Sequence, residues 1–157
     1  METPKEMPKP TSQHQKLEML VGRWRGTETM HPSPWDPEGG TATGRNDIRL
    51  TLNGFALITE YEQERGGVIT FQGHGVMTYD PNESCYVLHW FDSLGSPPEV
   101  FTGNFEGDVL TVGHAGPGMH ARLTYDLTRE GILRSRMDLS EDGVDWATFF
   151  ECDYERE

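Results

Sequence analysis

The residues best suited to chemistry in this chain are Tyr61, Gln72, His74, His89 and Asp92, spread over three successive stretches of mixed apolar and polar character. Neutral imidazoles ligate zinc or iron. His, Tyr and Asp within reach of one substrate act as general acids and bases. A His74–His89 pair brought face to face would be half of a metal site, or an acid–base pair supported by Tyr61 and Asp92. No third ligand accompanies the pair at a fixed spacing, and His114 and His120, on either side of the loop 115–118, read as hydrated turn-flanking residues. Zinc and iron are therefore not expected. The chain has no Gly-x-Ser-x-Gly elbow, no P-loop and no Gly-x-Gly-x-x-Gly opening a helix after a strand. Asp92-Ser93 reads as a turn cap. No catalytic residue is assigned.

Whether these groups meet depends on two turns. Asn53-Gly54 is a type I′ hairpin signal. A two-residue loop there sets Leu52 opposite Phe55, Leu50 opposite Leu57, Ile48 opposite Thr59 and Asn46 opposite Tyr61. That face is apolar and the other carries Arg45 opposite Glu62, so pattern and turn agree. Ile48, Leu50, Leu52, Phe55, Leu57, Thr59, Tyr61 and Asn46 are then expected to face inward. The next turn leaves two registers open. With Gly66-Gly67 as a two-residue loop, Tyr61 faces Gln72, Thr59 faces His74, and a loop over 80–83 sets His74 opposite His89. With Arg65 drawn into the loop, every side chain of the following strand changes face. Phe71, Gly73, Gly75, Met77 and Tyr79 then point inward and His74 is solvated. The two glycines leave room for bulky neighbours, which favours the second register. The candidate ligand-binding set spanning both registers is Asn46, Thr59, Tyr61, Gln72, His74, His89 and Trp90.

The surrounding elements are short and regular. Ser12 is placed as a helix N-cap with Gln15 three residues on. Leu17, Leu20 and Val21 form one apolar stripe, and Gly22 is a suitable stop. So short a helix needs a surface to dock on. Strands are expected over 24–30, 46–52, 55–62, 68–79, 85–91, 100–105, 109–114, 119–127, 132–139 and 146–154, separated by Gly, Pro, Asn and Asp turns. The fold class this spacing predicts is all-β, an up-and-down antiparallel barrel of about ten strands closed at one end by the N-terminal helix. A barrel also removes the sheet edges that such a meander would leave open. Residues 1–11 are read as a disordered tail and 12–157 as a single domain. The loop 31–40 holds three prolines around Trp35.

The stretch Leu17-Glu18-Met19-Leu20-Val21-Gly22-Arg23-Trp24-Arg25-Gly26-Thr27, the Tyr79-Asp80-Pro81 turn, the run from Tyr86 to Ser93 and Asp142-Gly143-Val144-Asp145-Trp146 resemble a bacterial domain-of-unknown-function family, DUF1579, with a lipocalin-like, calycin-type barrel. The resemblance covers most of the chain after the tail and implies a fold rather than an activity. In lipocalin-like barrels generally, a Gly-x-Trp tryptophan closes the barrel floor under a late-strand arginine. Gly22 and Trp24 match as structural residues, and Arg134, Arg136 and Arg156 all qualify as the arginine. Barrels similar to the nitrobindins hold haem through a histidine near the C-terminus. Here the last histidine is His120, and the final strand offers only Cys152, beside acidic neighbours that disfavour a thiolate. Haem is not expected, and no cofactor is predicted.

The 26 acidic and 13 basic residues give a formal charge of −13, which repels phosphate backbones and anionic lipid surfaces. Neither nucleic acid nor membrane is an expected partner. Without an apolar leader core, and with Cys85 and Cys152 expected as free thiols, the chain reads as cytoplasmic. The leading expectation is a non-catalytic binder of a small apolar or amphipathic molecule inside the barrel. Against it stand a small-molecule enzyme using His74, His89, Asp92 or Tyr61, and an interaction module presenting Trp35. A homodimer is compatible with the sequence.

Overall fold

Alternation of inward and outward side chains, broken by bulges in β4 and β10, runs through ten strands in a computed structural model, which describes residues 6–34 and 36–157. The strands are β1 (Gly22–Met30), β2 (Gly40–Thr51), β3 (Ala56–Arg65), β4 (Val68–Asp80), β5 (Cys85–Asp92), β6 (Glu99–Glu106), β7 (Val109–Gly116), β8 (Met119–Asp126), β9 (Ile132–Ser140) and β10 (Ala147–Arg156). Each pairs antiparallel with its sequence neighbours, and β1 pairs with β10 to close the barrel. The all-β barrel with a short N-terminal helix is thus the observed architecture. Trp35 and residues 1–5 of the expected tail lie outside the described residues.

Helix α1 (Ser12–Lys16) and a 3-10 turn (Leu17–Leu20) form the plug. The cap is Thr11 rather than Ser12, and its partner is His14 rather than Gln15. The His14 Nδ1 atom lies 2.8 Å from Thr11 Oγ1 and accepts the Thr11 amide at 3.1 Å. The imidazole does the work expected of a glutamine and is itself buried, edge-on to Phe55 and Tyr79. Leu17 and Leu20 are buried in the barrel end, each stabilising the fold by about 2 kcal/mol. The Tyr86 hydroxyl donates to the Gln13 carbonyl at 2.6 Å.

The floor is built around Trp24. Its indole N–H donates to the Leu20 carbonyl at 2.9 Å, and the Arg156 guanidinium stacks 4.1 Å from its ring. Arg156 also donates to the Val21 carbonyl at 2.5 Å, so it is the late-strand arginine, and Arg134 and Arg136 are not. Gly22 adopts φ +151°, and a Cβ there would lie 2.3 Å from the Arg156 guanidinium. Only glycine permits that crossing.

The β2–β3 ladder carries the expected register, with Asn46 opposite Tyr61, Ile48 opposite Thr59 and Leu50 opposite Leu57. The turn itself is longer than two residues. Thr51 pairs with Ala56, and Leu52, Asn53 and Gly54 all take positive φ. Leu52 is driven out of the barrel, 70% exposed, and does not face inward. Phe55 packs on His14 rather than lining the interior.

The β3–β4 hairpin combines features of both registers. Gly66-Gly67 is a two-residue loop with φ +57° and +82°, flanked by the Arg65–Val68 pair. A β-bulge between Gln63 and Glu64 leaves Thr70 unpaired, and beyond it Tyr61 faces Gly73 and Thr59 faces Gly75. One extra residue in β4 inverts its faces, as a bulge must.

Candidate functional site

The end of the barrel opposite the plug is hollow. A cavity of about 610 Å³ runs inward from the β3–β4, β5–β6 and β7–β8 turns. Its walls are mainly apolar, with Phe71, Trp90, Phe101, Leu123, Met137 and Phe150 on six different strands. Trp90 lies inward because Gly73 and Gly75 yield the space. A Cβ on Gly73 would stand 2.1 Å from the indole, and one on Gly75 3.2 Å from it. The paired glycines of β4 are therefore a slot for the β5 tryptophan.

Of the candidate binding residues, Asn46, Thr59, Tyr61 and Trp90 line this cavity. Gln72, His74 and His89 do not. The β4 bulge puts Gln72 and His74 on the outer face, and with Asp80 paired to Cys85 the loop becomes 81–84, so His89 pairs with Val76 and His74 with Phe91. His74 instead meets Glu60 across the outside of the wall at 2.6 Å, with both side chains nearly half exposed. Tyr61 faces the interior, so the acid–base set His74, His89, Tyr61 and Asp92 does not converge in one place. At the rim, Asp92 accepts the Trp90 indole N–H at 3.1 Å, and Arg65 pairs with Asp36 at 3.1 Å. His114 also lines the rim, its Nδ1 2.9 Å from the Val100 carbonyl oxygen. His120 pairs with Ser140. Among the described residues, no three His, Cys, Asp or Glu side chains are grouped as a metal site. Cys85 and Cys152 are free thiols.

A buried carboxylate is the site feature absent from the sequence-derived set. Glu28 on β1 is wholly inaccessible to solvent. The Tyr61 hydroxyl donates to it, 2.8 and 2.6 Å from its two oxygens, the Gln63 amide donates to Oε1 at 3.1 Å, and the Tyr154 hydroxyl donates to Oε2. Three donor groups converge on it, and no acceptor is bonded to it among the described residues. No cation pairs with it among the described residues. Gly44 makes the space, since a Cβ there would lie 2.1 Å from Glu28 Oε2. Burial, then the Glu28 charge, raises the Tyr61 phenol far above its ordinary range, and the same causes in the same order raise Tyr154. Burial and then Glu28 push the Cys152 thiol up to about 12. All three keep their protons at neutral pH. Tyr61, Gln63 and Tyr154 line the cavity, with Glu28 behind them. Period-two alternation from Trp24 through Gly26 places Glu28 on the inner face, so strand parity alone could have found it.

Taken together, these features define a closed antiparallel barrel, plugged at one end and hollow at the other, with a buried carboxylate in its inner wall. The chain belongs to the family described as "Protein of unknown function (DUF1579)", whose family model matches residues 9–156. No curated protein matches its sequence. Its fold is similar to that of Rv2717c from M. tuberculosis, with a TM-score of 0.68 and 14% identity over 94% of this chain and 98% of that one. It is also similar to the S-type phycobiliprotein lyase CPES from Guillardia theta, with a TM-score of 0.59 and 11% identity over 94% and 98% of the two chains. No helix among the described residues is long and apolar enough to cross a membrane.

Proposed function

We propose that this protein binds a small apolar or amphipathic molecule in the hollow end of its barrel, in the manner of lipocalin-like proteins. The observation that carries the reading is the cavity of about 610 Å³, within the range of pockets that enclose small ligands. Apolar walls supply affinity, and the few polar groups, Asn46, Thr59, Tyr61 and Ser135, set orientation. A filled barrel would have put further side chains there. The glycine slot for Trp90 keeps the large indole against the wall, which preserves the opening. The free thiols suit a reducing compartment, so the cytoplasm is the proposed setting. The acid–base groups an enzymatic reading would use are divided, with Tyr61 and Asp92 at the cavity and His74 and His89 on the outer face, which favours the binding reading.

Native mass spectrometry after incubation with a total lipid extract tests the reading. A discrete adduct is expected on the native protein and is expected to disappear when Ala121→Phe, at a lining position, fills the cavity. A spectrum showing apo mass alone across the extract contradicts it.

A further inference from the structure

The polar wall of the cavity has one electrostatic sense. Each phenol has a single proton, and the Tyr61 and Tyr154 hydroxyls both direct theirs to Glu28. The Gln63 amide nitrogen is turned toward Glu28 and the Tyr61 oxygen, at 3.1 and 3.3 Å. What Tyr61 and Tyr154 retain for a cavity ligand is therefore oxygen lone pairs. Behind them lies the buried Glu28 carboxyl group, with no cation paired to it among the described residues, in surroundings from which water is excluded and fields are weakly screened. The rim repeats the sign with Asp92 and Glu99, while its cation Arg65 is already paired with Asp36. Asn46, Thr59 and Ser135 have no side-chain partners among the described residues and can serve either polarity, so they do not oppose the bias.

We infer that the cavity selects amphipathic molecules whose polar end is a hydrogen-bond donor carrying positive charge, an ammonium or amidinium group, and rejects the isosteric carboxylates. The inference rests on the binding reading above and specifies its ligand class. The ligand's apolar body lies against Trp90, Phe101 and Phe150, and its cationic end reaches the Tyr61–Tyr154 pair. Glu28 does not touch the ligand. It acts as a specificity-determining residue through the two phenols, fixing which way their protons point and supplying the field.

Isothermal titration with decylamine, decanol and decanoate at pH 7 separates the possibilities, because the three share one apolar body. The expected result is binding of decylamine at least 10-fold tighter than decanoate, with decanol between them. In Glu28→Gln the ratio is expected to fall to within 3-fold, and Tyr61→Phe should reduce it in part. Glu60→Gln makes the same charge change on the outer wall and is expected to leave the ratio intact. Equal or tighter binding of decanoate overturns the inference, as does a ratio that survives Glu28→Gln or falls equally in Glu60→Gln. If decanol binds and decylamine gains nothing over it, the ligand class is wrong and the binding reading stands. If none of the three binds, the binding reading fails as well.

Discussion

The two ends of the barrel are built from the same strands and solve opposite problems. At the closed end, Trp24 has every polar atom satisfied, by Leu20 below and Arg156 above, and the plug leucines fill what remains. At the open end, Tyr61 and Tyr154 are satisfied by Glu28 and also line the cavity. Trp24 and Glu28 are only four residues apart on the inner face of β1. The floor residue is satisfied by packing, whereas the mid-barrel residue is satisfied by hydrogen bonds to groups that also face a cavity. A binding barrel needs both, because a hollow end can persist only if the other end supplies the stability.

The largest expected break in this contrast is Trp24→Ala. It removes the floor's packing, its hydrogen bond and the surface under Arg156, and should cost about 3–5 kcal/mol by urea denaturation. Glu28→Ala should cost less, about 1–3 kcal/mol, by leaving the Tyr61, Tyr154 and Gln63 donors without an acceptor. If Glu28→Ala proves as damaging as Trp24→Ala, the carboxylate is as essential to folding as the floor and the division between the ends fails.

Alkaline pH sharpens the comparison because both ends bury protonated acids. Cys152 in the wall and Tyr86 at the plug are each raised to about 12, from ordinary values of 9.0 and 10.0. The unfolded chain releases these protons first, so it binds fewer protons than the native state over that interval. The associated stability is full below pH 9 and is lost as pH rises toward 12. Denaturation midpoints should fall steadily across that window, and a flat profile would show that these groups are not buried as described. Tyr86→Phe should flatten the upper part of the slope.

The smallest effect is expected outside the wall. His74→Ala removes only the ion pair with Glu60, in which both side chains are nearly half exposed, and should shift stability by no more than about 0.5 kcal/mol. It should also leave ligand binding unchanged. A large loss of binding in His74→Ala would return the histidine to the site and contradict the register of β4.

Turn chemistry was the legible part of the sequence. Asn53-Gly54 and the alternation beside it agree on the register that sets Asn46 opposite Tyr61, although the turn absorbs two more residues and expels Leu52. Gly66-Gly67 also forms the expected tight loop. What the pattern does not encode is the bulge at Thr70, because an inserted residue in a strand of mixed polarity leaves no mark on alternation. That one residue decides between the two registers and places His74 and Gln72 on the outside. The corrective information was in side-chain size. Gly73 and Gly75 fit Trp90, and that match is possible in only one register. Glu28 was legible by parity from Trp24, but an acidic side chain inside an apolar barrel runs against the usual partition of charge. The closing arginine was ambiguous among Arg134, Arg136 and Arg156 because only the closure of β1 on β10 decides it.

The central claim is that the hollow end, and no other surface, receives a ligand. The direct measurement is two-dimensional NMR of the labelled protein during titration with decylamine. Shifts are expected to concentrate on the Tyr61, Trp90 and Tyr154 resonances, with the Trp24 indole and the His74 and His89 signals unmoved. Shifts centred on the outer wall or the Trp24 floor, or no saturable shift at all, would contradict the account.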